Sequence, residues 1–154
     1  MHPDLEFGNA VWSPKLEKDK NLVESVQIRA TRIILGIKGK PYEERLKILM
    51  LPSLRYRRLR GDLIEVYKYT HGLYKVPEGL LEFETRTNTR GHGYKLKKLR
   101  CNTSMRQHFF SLRVTDMWNS LPDCIVDAPT MNAFKNRLDE AMQEHMFSLE
   151  MPST

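Results

Sequence analysis

Cysteine is nearly absent from this sequence of 154 residues, which contains only Cys101 and Cys124. Two cysteines without a CxxC pair cannot form a disulfide framework, and this usage is typical of a reducing compartment. The five histidines also lack the spacing of a zinc site, because none pairs with another histidine or a cysteine as metal ligands on a helix do. We therefore expect no metal and no cofactor.

Long apolar runs are missing too. The longest spans about residues 33–37 and is interrupted by Gly36, whereas a membrane-spanning helix needs about 20 apolar residues. The first residues include His2, Asp4 and Glu6 rather than an apolar block, which argues against a secretory signal. The sequence thus predicts no contact with a membrane.

The motifs of the common catalytic sites are absent as well. The chain has no GxxxxGK[ST] phosphate loop and no GxGxxG fingerprint. Its aspartates are scattered singly, without the closely spaced metal-binding pair of a polymerase. Adjacent carboxylates such as Glu43 and Glu44 point apart on a helix. We expect no catalytic residues and no enzymatic activity.

One stretch lacks acidic residues altogether, from Thr85 to Thr115. It carries eight of the chain's 25 lysines and arginines, so the remaining 17 basic and 19 acidic residues are close to balance. A run of like charges repels itself unless solvent or a polyanion offsets it. A solvated loop would explain the charge, but the interleaved Tyr94, Leu96 and Phe110 predict anchoring to a core. The pattern therefore favours a surface that faces nucleic acid.

Elsewhere, apolar residues recur at helical spacing. Candidate helices cover about residues 3–12, 15–35, 41–49, 53–70, 104–121 and 130–145. They predict a mainly α protein, a bundle of about five to six helices with a basic connector that is irregular or forms a short β-hairpin. The predicted parts are a helical region at 1–76, the connector at 77–104, a C-terminal helical hairpin at 105–147 and a frayed tail at 148–154.

The second candidate helix is amphipathic. Its apolar stripe consists of Leu22, Val26, Ala30 and Ile33. Such a stripe predicts that this face of the helix packs into the core.

The helix that follows Ser53, a plausible N-cap, carries four arginines in its first turns, at positions 55, 57, 58 and 60. Positive charge there opposes the helix dipole, a small penalty that Asp62 and Glu65 can offset. Two interpretations stay open. The arginines form an ordinary exposed face, or they bind a phosphate beside the free N–H groups of the helix end.

The candidate nucleic-acid-binding residues combine this cluster with the connector. They are Arg57, Arg58, Arg86, Arg90, Tyr94, Lys95, Lys97, Lys98, Arg100 and Arg106. Tyr94 is included because a tyrosine in a basic loop can stack on a base, although one beside lysines can instead cover the edge of a core. We expect contacts to the backbone of RNA and DNA that tolerate any sequence and weaken with salt.

Five stretches resemble a known family. They are HPDLEFGNAVWSP (2–14), LVESVQIRATRIILG (22–36), PYEERLKILMLPSLRYRRLRGDLIEVYKYTHG (41–72), TRGHGYKL (89–96) and FFSLRVTDMWNSLPDCIVDAPTMNAFKNRLD (109–139). In this order they are similar to the C-terminal part of the reverse transcriptase of LINE-type (non-LTR) retrotransposons, of the jockey and chicken-repeat kind. The long stretch at 41–72 and the WNSLP block at 118–122 are the most specific.

The resemblance implies a thumb-like helical region and a C-terminal extension. In the family this part follows the palm of the RNA-directed DNA polymerase and helps to hold the RNA template and the growing DNA during target-primed reverse transcription. The palm with its catalytic aspartates has no counterpart in this sequence, so the resemblance implies descent from a polymerase without its activity. It further implies that the chain begins inside a larger fold, that the missing palm region is a partner, and that the location is intracellular, in the nucleus or a ribonucleoprotein particle.

A function of another class also stays open. The chain could be a transposon remnant without a function of its own, or a helical scaffold for protein interaction. This alternative predicts an exposed apolar patch around Leu5, Val11 and Trp12.

Overall fold

A computed structural model of the chain describes residues 14, 16–73, 81–85, 92–99 and 110–149. The elements in these ranges are α1 (Glu17–Ile33), α2 (Tyr42–Leu49), α3 (Leu54–Thr70), α4 (Phe110–Ser120), α5 (Asp123–Val126), α6 (Met131–Ala141) and a 3-10 turn (Gln143–His145). The mainly α fold predicted from the sequence is confirmed for this part of the chain. The predicted helix at 3–12 and the predicted start of the fifth helix, before Phe110, lie outside the described residues.

α3 is the central helix, because it packs against α1, α4 and α6. Its apolar residues recur at helical spacing, and Leu63 and Val66 are fully buried. They share one hydrophobic core with Trp118 of α4, Phe134 of α6 and Leu96 of the connector. Burial of each such side chain stabilises the fold by roughly 1.5–3 kcal/mol. The connector is therefore anchored in the core, as the apolar residues within the basic stretch predict.

Two helices begin at side-chain caps, and the one at Ser53 is predicted from the sequence. Ser53 Oγ accepts a hydrogen bond from the N–H of Tyr56 at 3.3 Å, and Thr130 Oγ accepts one from the N–H of Ala133 at 3.1 Å. Each side chain satisfies a backbone donor that the first helical turn leaves without a partner. These local bonds fix where α3 and α6 begin.

The prediction for α1 is wrong in its orientation. Leu22 is 64% exposed and Ile33 is 80% exposed, so the apolar stripe faces solvent. The buried residues of α1 are polar, namely Glu24, Gln27 and Thr31. Their burial has a local cause, because α1 crosses the start of α3, where backbone donors and acceptors need partners. Gln27 donates to the carbonyl of Pro52 at 3.0 Å, for example.

The connector contains one antiparallel bridge, between Phe83 and Leu96. Two backbone hydrogen bonds of 2.8 Å flank it, from the N–H of Glu84 to the carbonyl of Lys95 and from the N–H of Lys97 to the carbonyl of Glu82. No longer strand occurs in the described parts of the connector. Of the two predicted forms, the irregular one therefore describes this region.

α5 differs from the sequence prediction. The sequence places no element between Pro122 and Thr130, yet α5 forms one turn there and buries Ile125 and Val126. A single turn is too short to show helical periodicity. In the tail, the hydroxyl of Ser148 and the N–H of Leu149 each donate to Glu43 Oε1 at 3.1 Å. These bonds attach the first tail residues to α2.

Candidate nucleic-acid interface

The connector is held by α4 through the Trp118 backbone and ring. The indole N–H of Trp118 donates to the carbonyl of Tyr94 at 2.8 Å. His92 Nε2 lies 3.1 Å from the carbonyl oxygen of Trp118, and its ring meets the indole edge-on with centroids 5.7 Å apart. Both side chains are buried, Trp118 completely and His92 to 4% exposure. A fully buried tryptophan therefore fixes two points of the connector.

Asn119 provides the next attachment. Its Oδ1 accepts the N–H of Leu96 at 2.8 Å, and its Nδ2 donates to the carbonyl of Leu96 at 2.7 Å. The side-chain amide thus takes the place of a neighbouring strand and satisfies both backbone groups of a buried residue. Leu96 and Asn119, which belong to the TRGHGYKL and WNSLP stretches of the sequence resemblance, meet in these contacts.

Lys97 and Lys98 extend from this fixed backbone into solvent. The side chain of Lys97 is 54% exposed and pairs with Glu82 at 3.0 Å. That of Lys98 is 72% exposed and pairs with Asp116 at 2.8 Å. Exposed ion pairs contribute only about 0–1 kcal/mol, so a phosphate can replace these carboxylates at little cost. Lys95 is half-buried and also has an interaction partner.

Arg113 differs from these lysines. It lies in the stretch that has no acidic residue to balance its positive charge. Its guanidinium nevertheless donates two hydrogen bonds to the carboxylate of Asp62 on α3, both 2.9 Å long. Only 16% of the Arg113 side chain and 9% of the Asp62 side chain are exposed. Burial raises the pKa of the Asp62 carboxyl, an effect that Arg113 opposes. Arg113 therefore joins α3 to α4, and its charge is not part of the candidate interface.

Tyr94 lies at the end of a stack of rings. It stacks on His71 with centroids 4.6 Å apart. His71 stacks on Tyr67 at 3.9 Å, and Tyr67 stacks on Phe134 at 4.4 Å. The ring face of Tyr94 that contacts His71 is thus covered by the protein. This position favours the core-edge interpretation of Tyr94 over base stacking.

The start of α3 does not offer free N–H groups to a phosphate. Glu24 of α1 lies there with 1% exposure, and its carboxylate accepts the N–H groups of Leu54 and Arg55, each at 3.2 Å. The Tyr42 hydroxyl also donates to Glu24 at 2.5 Å. Burial, followed by this carboxylate, raises the pKa of Tyr42, so the hydroxyl keeps its proton. An internal anion takes the position that the sequence offers to a phosphate.

The arginines of α3 point to different neighbours. Arg55 bonds to Glu17 at 2.8 Å and to Asn21 at 2.7 Å, both on α1. Arg60 forms a two-pronged pair with Asp139 of α6 at 2.5 and 2.8 Å. Arg58 is buried, with 8% exposure. Three of the four arginines therefore serve the interior or the helix contacts, and they do not form one exposed cluster.

Two concave regions flank α3. A cleft of about 400 Å³ opens between α1, α3 and α4. Its charged lining residues are Glu17, Lys20, Arg55, Arg58, Asp62, Arg113 and Asp116. Arg58 contributes to this cleft, and Asp116, the partner of Lys98, lies on its wall. Arg57 instead lines a smaller pit on the side of α1 and α2. Arg58 thus shares a cleft with the partner of Lys98, whereas Arg57 lines a different one.

Four candidate residues, Arg86, Arg90, Arg100 and Arg106, lie outside the described residues. Within the described ranges, no three His, Cys, Asp or Glu side chains converge as metal ligands would, and no helix is both long and apolar enough to span a membrane. The residues that sequence reasoning missed are His92, Trp118 and Asn119, which position the connector. Their proximity arises only when α4 folds against the connector, although the WNSLP block is a specific sequence signal.

Comparisons of the chain with protein-family models, with curated proteins and with solved structures found no match. The arrangement of the residues and the motif resemblance are therefore the basis for assigning a function.

Proposed function

We propose that this protein binds the sugar-phosphate backbone of nucleic acid through its basic connector and has no catalytic role in doing so. The observation that carries the proposal is the position of Lys97 and Lys98. Both extend into solvent from a backbone that Leu96 and Asn119 fix to the core. A fixed pair of lysines contacts phosphates without the entropic cost of ordering a loop.

Local charge supports this proposal. The chain from Thr85 to Thr115 has no acidic residue, and of its described cations Arg113 forms a buried pair, with Asp62. Contacts of lysine and arginine with phosphate release counterions, so affinity should fall steeply with salt and depend little on base sequence. Tyr94, by its stack on His71, contributes to holding the connector and not to reading bases.

The motif resemblance extends the proposal. It places the chain after the palm of a retrotransposon reverse transcriptase, where an RNA–DNA hybrid would be the ligand and the palm a partner. Nucleotide incorporation by the isolated chain with a primer, a template and a metal ion would contradict the non-catalytic assignment.

The test is binding to a fluorescent RNA–DNA hybrid across a salt series. For the double variant Lys97→Ala/Lys98→Ala we expect the slope of log affinity against log salt to become shallower by about 1–2, since each phosphate contact contributes roughly 0.9. Lys38→Ala/Lys47→Ala is the matched control, because both lysines are exposed and lie outside the basic stretch. Two hybrids of unrelated sequence should bind alike.

An unchanged slope in the connector variant would remove these lysines from the interface. An equal change in the control variant would show that net charge alone, and not the connector, drives binding. Parallel titrations with single-stranded RNA and with duplex DNA identify the preferred form of the ligand.

A further inference from the structure

The outward face of α1 is apolar, although the helix lies on a folded core. Leu22 is 64% exposed, Val26 42% and Ile33 80%. At about 100° per residue these three side chains fall within roughly 40° of one another on the helix. The buried Glu24, Gln27 and Thr31 occupy the opposite side. The usual amphipathic pattern is therefore inverted, with the apolar stripe of the helix left without a partner in the described structure.

The two edges of this stripe differ in character. On one edge lie the exposed cations Lys18, Arg29 and Arg32. On the other edge a pit of about 130 Å³ opens between α1 and the end of α2. Its lining residues are Gln27, Ala30, Thr31, Ile34, Leu49, Leu51 and Arg57. An apolar cavity of roughly 150 Å³ accommodates benzene, so this slightly smaller pit has room for one aliphatic side chain such as leucine.

We propose that this face of α1 is a docking surface for an amphipathic helix from a partner protein that is acidic along one edge. The apolar side of the partner helix lies along Leu22, Val26 and Ile33, and one of its apolar side chains fills the pit. Its carboxylates pair with Lys18, Arg29 and Arg32. This mode of recognition is the helix-in-groove type, in which apolar side chains at helical spacing provide the contact.

The charges select this occupant over two others. A second copy of the chain, paired antiparallel through the same face, would bring the same three cations of α1 together, which is repulsive. A basic amphipathic helix can also bind an anionic membrane surface. Lipid would leave the pit unfilled, however, and the cations of α1 lie on one edge of the stripe and not on both. An acidic helix satisfies the stripe, the pit and the charged edge together.

The experiment selects helices from a displayed library of peptides about 20 residues long, a length at which isolated helices become stable enough to bind. Apolar and charged positions are randomised, and the full chain is the target. We expect the enriched peptides to carry apolar residues at i, i+4, i+7 and i+11 and glutamate or aspartate along one edge. The best peptide is then synthesised and its affinity is measured by titration.

Two exposed-site variants test the assignment. Leu22→Gln/Ile33→Gln keeps helix-forming residues, and we expect at least a tenfold loss of affinity for the peptide. Arg29→Glu/Arg32→Glu should cause a similar loss, and a peptide with its acidic residues changed to lysine should regain binding to this variant. Lys38→Glu/Lys47→Glu is the control with the same change of charge, and it should bind the original peptide within about twofold. Circular dichroism confirms that each variant is folded.

Several results would overturn the proposal. Enrichment of peptides without an acidic edge would do so, as would a loss of binding in the control variant equal to that in the α1 variant. If the free chain self-associates in sedimentation and Leu22→Gln/Ile33→Gln abolishes this, the occupant is a second copy. If the chain binds phosphatidylcholine–phosphatidylserine vesicles through the same residues and the peptide does not compete, the occupant is a membrane.

The connector proposal is tested separately, because Leu22→Gln/Ile33→Gln should leave binding to the RNA–DNA hybrid unchanged.

Discussion

Glu24 is a charged residue at an interior position, and its surroundings explain why the fold tolerates it. Glu24 is 1% exposed, and its carboxylate accepts hydrogen bonds from the N–H groups of Leu54 and Arg55 and from the hydroxyl of Tyr42. A buried carboxylate is stable only when hydrogen bonds replace its water. The N-terminus of α3 adds a favourable dipole to those bonds. One side chain therefore caps α3 and joins it to α1 and α2.

We expect Glu24→Ala to lower the free energy of unfolding by about 2–4 kcal/mol. Loss of a helix cap costs about 0.5–2 kcal/mol, and a buried hydroxyl left without a partner costs about 1–3 kcal/mol. Urea unfolding measures the change. Glu140→Ala on the exposed side of α6 is the control and should change stability by less than about 0.5 kcal/mol. Equal unfolding midpoints for the two variants would show that Glu24 does not stabilise the contact.

The role of Glu24 could not be predicted from the sequence. Helical periodicity assigns polar residues to solvent and apolar residues to the core, and on α1 this rule gives the wrong face. The rule fails because the neighbour of α1 is the start of another helix, whose donors require a carboxylate. The same rule succeeds for α3, where Leu63 and Val66 contact other apolar side chains in the core.

One end of the contact between α3 and α6 is polar. Its strength depends on pH, because it includes the carboxyl group of Asp139. Arg60 and the hydroxyl of Tyr56 both bond to Asp139. Burial alone would raise the pKa of Asp139, but these hydrogen bonds outweigh burial and lower the pKa below its ordinary value of 3.8. Because the pKa is lower in the folded state, the contribution of Asp139 is fully present above the unfolded pKa. It is lost as pH falls through the folded pKa.

We therefore expect Asp139→Asn to be less stable than the parent at neutral pH and to lose less further stability below about pH 4. Urea midpoints at a series of pH values measure both effects. Asp127→Asn, at an exposed position after α5, should follow the parent curve. Parallel curves for parent and Asp139→Asn would contradict the assignment.

The contact between α4 and the connector depends on Asn119. Removal of its amide leaves both backbone groups of the buried Leu96 without their bonds to α4. For Asn119→Ala we expect a loss of about 1–3 kcal/mol in stability, from two hydrogen bonds of about 0.5–1.5 kcal/mol each. The Leu96 amide should also exchange with solvent faster. Asn119→Asp keeps an acceptor for the Leu96 N–H but loses the donor, so it should also be less stable than the parent.

Hydrogen exchange followed by nuclear magnetic resonance measures this effect. Ser120→Ala is the neighbouring control, since Ser120 is exposed and its hydroxyl bonds only within α4. Protection of Leu96 that is the same in Asn119→Ala as in the parent would show that the amide does not hold the connector.

Elements with strong local signals were predictable. The cap at Ser53 and the helices α3, α4 and α6 follow from residue types at fixed spacing. α5 and the bridge at Phe83 and Leu96 were not, because a single turn and a single bridge leave no period in the sequence. The candidate interface could be predicted only in part. Its charge was visible, but the attachment of Leu96 through Asn119 depends on a contact between residues 23 positions apart.

In the folded chain, part of the positive charge between Thr85 and Thr115 is offset by acidic residues from other parts of the sequence. Among the cations between Thr85 and Thr115 that the structure describes, Lys97, Lys98 and Arg113 pair with carboxylates outside that stretch. The sequence could not reveal these pairs, since Arg113 and Asp62 are 51 positions apart. The role of each ion pair follows from how exposed it is to solvent. The pair of Arg113 is buried and structural, whereas the pairs of Lys97 and Lys98 are exposed and weak enough to exchange for phosphate.

A ligand that binds only the folded chain must also stabilise it. At a free concentration one hundred times its dissociation constant, an RNA–DNA hybrid should stabilise the fold by about 2.7 kcal/mol. For a chain of this length this is a rise in melting temperature of roughly 5–10 °C. Lys97→Ala/Lys98→Ala should show a smaller rise at the same hybrid concentration, and Lys38→Ala/Lys47→Ala the full rise. Because the proposed contacts are to the phosphate backbone, heparin should also raise the melting temperature of the protein. Salt should abolish the effects of heparin and of the hybrid over the same concentration range. A hybrid that leaves the melting temperature of the parent unchanged at saturation would contradict binding to the folded state.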